Sequence, residues 1–175
     1  MGGKKFNHVK YIEKNCIRDI EYYKKVSLQR WDNVLKAYEH GEYFTALYIG
    51  GYCVECILKY VILKSLFGEQ KNLELHKVKK TDWSKKKAIE IIFKHNIDKL
   101  MTLGNELRIF KVPKEVDFQD IIEWKSEWRY AIDHSIDKVL AKEFLESVIL
   151  MSKQLYKEVK SDIKLKPFNS LPEVK

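Results

Sequence analysis

The sequence has little of the two residue types that interrupt helices. Its 175 residues include seven glycines and three prolines, and two of the prolines lie in the last nine residues. A disordered chain would also be poorer in aromatic residues, which make up 13% here. The apolar residues are spread through the sequence, and the length suits one compact domain with a sizeable core. We therefore expect a single all-α domain.

Cysteine is scarce as well. Cys16, Cys53 and Cys56 are too few for a disulfide framework, and no secretory signal precedes them, so we expect a cytoplasmic protein. Cys53 and Cys56 form a CxxC motif, but no second cysteine pair is present for a zinc site and no βαβ pattern supports a redox motif. We interpret them as two thiols packed one helical turn apart, and we expect no metal or cofactor.

A long uninterrupted apolar run is also missing. The most apolar stretch, 43–67, contains one glutamate and two lysines, which argues against a membrane span. Its apolar residues occupy two sides of a helix, which predicts a position in the centre of a bundle or of an interface. Gly50 and Gly51 fall in mid-helix, where each costs about 1 kcal/mol relative to Ala. Such glycines are tolerable where another helix must approach closely.

The spacing of apolar residues predicts an up-and-down helical bundle. We expect a basic N-terminal extension over 1–25, a helical domain over 26–162 and a flexible C-terminal tail over 163–175. No strand is expected, and a polar, lysine-rich connection follows residue 68. The predicted helical segments are 12–25, 26–39, 42–67, 83–94, 96–110, 118–128 and 136–160.

The net charge of +8 is compatible with a polyanionic partner, although many soluble proteins are lysine-rich for solubility alone. One dense group of lysines could follow an RNA backbone, and a solvated loop is the alternative. Trp83 is the only aromatic residue nearby that could stack on a base. The group consists of Lys77, Lys79, Lys80, Lys85, Lys86 and Lys87.

Arg129 and His134 stand just before the last predicted helix, with four residues between them. Arginine supplies a fixed cation for a phosphate, and histidine transfers protons near neutral pH. On a regular helix the two would lie about 140° apart. They converge only if Arg129 lies at a helix start or an irregular turn, or if each meets the partner's copy across a two-fold axis. The alternative is an ordinary ion pair of Arg129 with Asp133, four residues on.

Glu55 lies on the mostly buried helix, where a carboxylate must find a partner. Lys59, four residues further on, is the ordinary candidate. In a functional alternative, Glu55 reaches Arg129 and orients it.

Several segments of the sequence, considered together and in their order along the chain, resemble parts of HEPN domains. Segments 42–46 and 50–59 resemble the second helix of that family, and 95–100 resembles the start of its third. Segment 128–130 and the Arg-x4-His spacing resemble the motif of its fourth helix. The resemblance covers roughly 26–162.

The resemblance implies a four- or five-helix bundle that dimerises through the helices carrying the motif, and many HEPN members are metal-independent endoribonucleases of toxin–antitoxin and antiviral defence systems. It assigns Arg129 and His134 to the active site, with Tyr130 and Asp133 as supporting residues, and implies products with 2′,3′-cyclic phosphate ends. Expected partners are RNA, a second copy of the chain, and a cognate antitoxin or nucleotidyltransferase.

Two positions depart from the pattern of the catalytic HEPN members. Tyr130 stands where those members often have Asn or Asp. Ile136 stands where one toxin branch has a tyrosine that a nucleotidyltransferase modifies. An inactive HEPN module that binds a partner protein or a nucleotide is therefore the alternative function, and a plain helical dimerisation module is a third.

Overall fold

Helices make up most of the part of the chain that the computed structural model describes, which comprises residues 20–68, 82–111, 119–130 and 136–166. No strand occurs within these ranges, so the all-α prediction is confirmed for them. In chain order the elements are α1 (Ile20–Glu39), α2 (Tyr43–Phe67), α3 (Trp83–Ile92), α4 (Ile97–Glu106), α5 (Gln119–Glu123), a 3-10 helix (Ser126–Tyr130) and α6 (Lys138–Glu158).

Helix α2 lies at the centre of the fold. It packs against α1, α3, α4, α6 and the 3-10 helix. Tyr60, Ile57 and Leu58 are among its side chains that are fully shielded from solvent. The predicted central position is therefore confirmed. Among the described residues, α2 is also long and apolar enough to cross a membrane, but its most apolar window is 78% buried inside the fold, as in a core helix.

The two mid-helix glycines of α2 allow close packing on two sides. A Cβ atom at Gly50 would lie 2.8 Å from Leu145 Cδ2, on α6. A Cβ atom at Gly51 would overlap the indole ring of Trp124. The expected close approach is confirmed, but only Gly50 faces another helix, because Trp124 lies between α5 and the 3-10 helix.

Side-chain caps and left-handed turns set the helix ends. Gly41, with φ of +77°, precedes α2, and Gly68, with φ of +66°, follows it. Asn96 caps α4 by accepting a hydrogen bond from the Lys99 amide, and Asp137 caps α6 by accepting one from the Leu140 amide. His95 therefore lies one residue before the cap of α4. Helix α6 begins at Lys138, directly after its cap Asp137.

Helix α1 differs from the prediction. The expected break between 25 and 26 is absent, and the helix runs unbroken from Ile20. Ile20 and Tyr23 are 3% and 6% exposed, so they extend the buried face of the helix into the predicted extension. Residues 1–19 lie outside the described part of the chain.

The predicted helix 118–128 is also divided, since α5 ends at Glu123 and a separate 3-10 helix begins at Ser126. The start of the predicted flexible tail packs on α1. Leu165 is buried, and the Trp31 indole N–H donates to the carbonyl of Lys166 at 3.0 Å. Residues 167–175 lie outside the described part.

Candidate functional site

Arg129 lies in the 3-10 helix and is therefore not part of α6. Convergence of Arg129 and His134 within one chain requires a helix start or an irregular turn at Arg129, and a 3-10 helix is such an irregular element. The side chains of Arg129 and Tyr130, and the whole of 131–135 with Asp133 and His134, lie outside the described residues. The convergence of Arg129 with His134 therefore stays a prediction.

Tyr48 of α2 holds the start of the 3-10 helix. Its hydroxyl donates to the carbonyl of Ser126 at 3.3 Å, and its own carbonyl accepts from the Trp124 indole N–H at 3.1 Å. The Trp124 ring also packs edge-on against Tyr52, with centroids 4.8 Å apart. The segment that carries Arg129 is thus anchored to the middle of α2.

The residues that flank the motif segment are both connected with Tyr48, one by a hydrogen bond and the other by a shared groove. A groove of about 440 Å³ opens at the start of α2, and Tyr48 and Ile136 both line it. Ser126, three residues before Arg129, bonds to Tyr48, and Ile136 follows His134 by two residues.

About two turns after Tyr48 along α2, Glu55 is the centre of a buried ionic cluster. Its side chain is 2% exposed and accepts a short hydrogen bond from the Lys59 ammonium. It also bonds to Nδ1 of His95, which lies 3.0 Å from Oε1 and 3.2 Å from Oε2. The predicted Glu55–Lys59 pair is confirmed. Contact of Glu55 with Arg129 stays a prediction, because that arginine's side chain is not described.

His95 is the part of this cluster that the sequence analysis missed. It occupies the short connection between α3 and α4, and its side chain is 58% exposed although its partner Glu55 is buried. Its ring also packs edge-on against Tyr52, with centroids 6.1 Å apart. Forty residues separate His95 from Glu55, so no helical spacing could pair them. The only sequence signal was the need of Glu55 for polar partners.

Two cation–π contacts border the cluster, one of Lys59 and one of Arg30. The Lys59 ammonium lies 5.8 Å from the centroid of the buried Tyr23 ring, and the Arg30 guanidinium lies 5.8 Å from that of Tyr52. Both distances are typical of cation–π contacts. Helix α1 therefore supplies an aromatic ring for the buried lysine and a cation next to Tyr52.

The two described cysteines behave as packed thiols, as expected. Cys53 is fully buried, and its Sγ donates to the carbonyl of Ser27 at 3.3 Å. Burial, followed by the charge of Glu55, raises the pKa of Cys56 to about 12. Thiols of this kind stay protonated near neutral pH and are poor nucleophiles or metal ligands.

The described lysines of the predicted RNA-binding group belong to α3, and each has an acidic neighbour. Lys87 also lies over the exposed Trp83 ring, 4.9 Å from its centroid. Lys77, Lys79 and Lys80 lie outside the described residues, so RNA binding by the group stays a prediction. The ion pairs are Lys85 with Asp82 (3.5 Å), Lys86 with Glu90 (3.9 Å) and Lys87 with Glu106.

Comparisons of the chain with protein-family models, with curated proteins and with solved structures find no match in any of the three. The resemblance to HEPN domains therefore continues to rest on the sequence motifs alone.

Proposed function

We propose that the protein is a HEPN-type, metal-independent endoribonuclease that acts as a cytoplasmic homodimer in toxin–antitoxin or antiviral defence. One observation carries this proposal: Tyr48 bonds to Ser126, three residues before Arg129, and lines an open groove together with Ile136, two residues after His134. Arg129 also lies in a 3-10 helix, and α6 begins only at Lys138, so Arg129 is not part of the regular α-helix that would hold it about 140° from His134.

The chemistry requires few groups. Arg129 binds the scissile phosphate and stabilises the charge of the pentacoordinate transition state. His134 transfers a proton, either from the 2′-hydroxyl or to the leaving 5′-oxygen. The O2′–P bond forms, the P–O5′ bond breaks, and the products carry a 2′,3′-cyclic phosphate and a 5′-hydroxyl.

Exposed apolar side chains support the homodimer. Val139 and Leu140, in the first turn of α6, are 63% and 43% exposed, and Leu150 of the same helix is 50% exposed. They follow the motif directly in the chain. Burial of such side chains against a second copy would favour association.

The test is cleavage of RNA in the presence of EDTA. We expect wild-type protein to leave 2′,3′-cyclic phosphate ends, and we expect Arg129→Ala and His134→Ala to lose the activity while remaining folded dimers. Arg108→Ala is a matched control, since Arg108 is exposed and follows α4, away from the residues that line the groove. Circular dichroism and size-exclusion chromatography check folding and assembly. Cleavage that survives both motif substitutions would contradict the assignment.

The ion pairs of α3 favour one alternative, because lysines already paired with carboxylates attract an RNA backbone less strongly. In that alternative the protein is an inactive HEPN module that binds a partner such as a nucleotidyltransferase. Tyr130 and Ile136, which depart from the catalytic pattern, point the same way. Absence of cleavage over a broad set of RNAs would favour this function.

A further inference from the structure

We infer that the groove at the start of α2 binds a guanine base of single-stranded RNA, and that the carboxylate of Glu42 selects this base. The inference rests on the proposed function, because it names the part of an RNA that the protein recognises. The groove's volume of about 440 Å³ lies within the usual range of small-molecule sites, about 300–1,000 Å³, so a base fits in it.

Aromatic residues form much of the lining of the groove. Tyr43, Phe44 and Tyr48 all contribute to it. The Tyr43 ring packs edge-on against Tyr38, and the Tyr48 ring packs edge-on against Tyr52, with centroids 5.2 Å apart in both pairs. Single-stranded bases bind to proteins largely by stacking on aromatic rings. Rings that are already held in place lose little freedom on binding, so this lining suits a planar base.

Glu42 is the only charged residue in the described lining of the groove. It is exposed and occupies the cap position of α2, but its side chain makes no cap hydrogen bond. It also forms no ion pair within the described part of the chain. The carboxylate is therefore available to accept hydrogen bonds from a ligand.

The charge of Glu42 and the charge of the whole protein favour different parts of an RNA. The net charge of +8 attracts a polyanion and disfavours a small cationic ligand. Inside the groove, however, the carboxylate of Glu42 repels a phosphate. Both conditions are met if an uncharged base enters the groove while the phosphates of the same RNA remain outside it.

The carboxylate also distinguishes among the four RNA bases. Its two oxygens only accept hydrogen bonds, and guanine alone presents two adjacent donors on one edge, the N1–H and the 2-amino group. Adenine and cytosine each have a ring-nitrogen acceptor beside the amino group, and uracil has carbonyl oxygens on both sides of its N–H. These acceptors would face a carboxylate oxygen. In single-stranded RNA the edges of the bases are free for such contacts.

The experiment is the binding of short 2′-O-methyl oligouridines, which cannot be cleaved through a 2′-hydroxyl. The central base is left as uracil or replaced by guanine, adenine, cytosine or hypoxanthine, and fluorescence anisotropy gives the Kd. We expect the guanine probe to bind about 10-fold more tightly than the uracil, adenine and cytosine probes, which is typical of one bidentate contact to a base. The hypoxanthine probe lacks only the 2-amino group and should bind with intermediate affinity.

Glu42→Gln tests the selecting group. The amide has nearly the same shape but places an N–H donor beside its single oxygen. Because Glu42 makes no cap hydrogen bond, the replacement removes no such contact from the fold. This variant should bind the guanine and adenine probes about equally. Binding that keeps the full guanine preference would overturn the role of Glu42.

Glu39→Gln is the matched control. Glu39 is the exposed last residue of α1 and is not among the residues that line the groove. Both substitutions raise the net charge by the same amount, so a general electrostatic effect on RNA affinity would appear in both variants. We expect only Glu42→Gln to lose the guanine preference. An equal loss in Glu39→Gln would overturn the assignment of selection to Glu42.

A free guanine nucleotide would present the same base as RNA, and guanosine 5′-monophosphate separates the two sources. We expect the mononucleotide to bind more weakly than the guanine oligonucleotide, because several phosphates of the oligonucleotide are attracted by the net charge. Mononucleotide binding as tight as that of the oligonucleotide would overturn RNA as the ligand.

Cleavage of RNA in EDTA, measured alongside, separates this inference from the proposed function. A wild-type protein that cleaves RNA but binds all the probes equally would overturn the guanine site and leave the ribonuclease intact. Guanine-selective binding that Glu42→Gln abolishes, in a protein that cleaves no RNA, would support the guanine site and contradict the ribonuclease.

Discussion

The two sides of α2 use different physical means to hold the fold together. Toward α6, Gly50 allows Leu145 and Phe144 to pack directly on the helix, and the contact is entirely apolar. Toward α4 and the 3-10 helix, a row of polar side chains connects separate elements through specific hydrogen bonds. Tyr48 bonds to Ser126 of the 3-10 helix and Glu55 to His95, while Tyr52 and Lys59 bond to these two within α2.

The difference shows where function can reside in a small helical domain. An apolar contact tolerates replacement by other apolar residues of similar volume. A buried ionic contact needs its partners, and it gives a neighbouring exposed group a defined position. His95 has such a position because Glu55 is buried and is already neutralised by Lys59.

The largest effect on stability is expected from the side of α2 that carries Glu55 and Lys59. Glu55→Ala removes the counter-charge of Lys59, which is 4% exposed, and should lower the free energy of unfolding by about 3–5 kcal/mol. Urea denaturation measures the change. The double variant Glu55→Leu with Lys59→Met removes both charges and should recover most of the stability. A single variant as stable as wild type would mean that water reaches the Lys59 ammonium.

The next largest effect on stability is expected from replacing the two mid-helix glycines of α2. Gly51→Ala forces Cβ into the Trp124 indole and should cost about 1–3 kcal/mol, the usual range for overpacking. Gly50→Ala is the matched variant on the apolar side. It should cost less, because the atom it meets is the end of a flexible leucine side chain and Ala favours the helix. Thermal or urea unfolding compares the two, and equal losses would show that Trp124 moves aside easily.

The smallest effect depends on pH. Burial raises the pKa of Cys56 to about 12, above its ordinary value of 9.0, so the folded state disfavours the thiolate. The protonated Cys56 thiol therefore contributes to the free energy of unfolding. This contribution is fully present below about pH 9 and is lost as the pH rises toward 12. Unfolding measured from pH 8 to pH 10.5 should show this decline, and Cys56→Ala should weaken it. An identical decline in Cys56→Ala would assign it to other groups, such as Tyr156, whose pKa burial also raises.

Most helices could be predicted from the sequence because their signals are local. The turns at Gly41 and Gly68, and the apolar spacing of α2 and α6, gave the correct elements to within two residues at the ends. The false break in α1 arose where the sequence turns basic. There Ile20 and Tyr23 continue the buried face despite the charged neighbours.

The Glu55–Lys59 pair was predictable for the same reason, since four residues along a helix is a local relation. Its second partner was not. His95 meets Glu55 only because α4 packs against α2, and nothing in the spacing of the sequence encodes that contact.

The sequence by itself therefore determined the helical class, the central position of α2 and the need of its one glutamate for a partner. These follow from composition, periodicity and the cost of a buried charge, all of which are properties of short stretches of chain. Only the tertiary structure decided that His95 is the exposed partner of Glu55 and that Trp124 occupies the space left by Gly51. Such contacts depend on which helices pack side by side, and that is settled by the shape of the whole core.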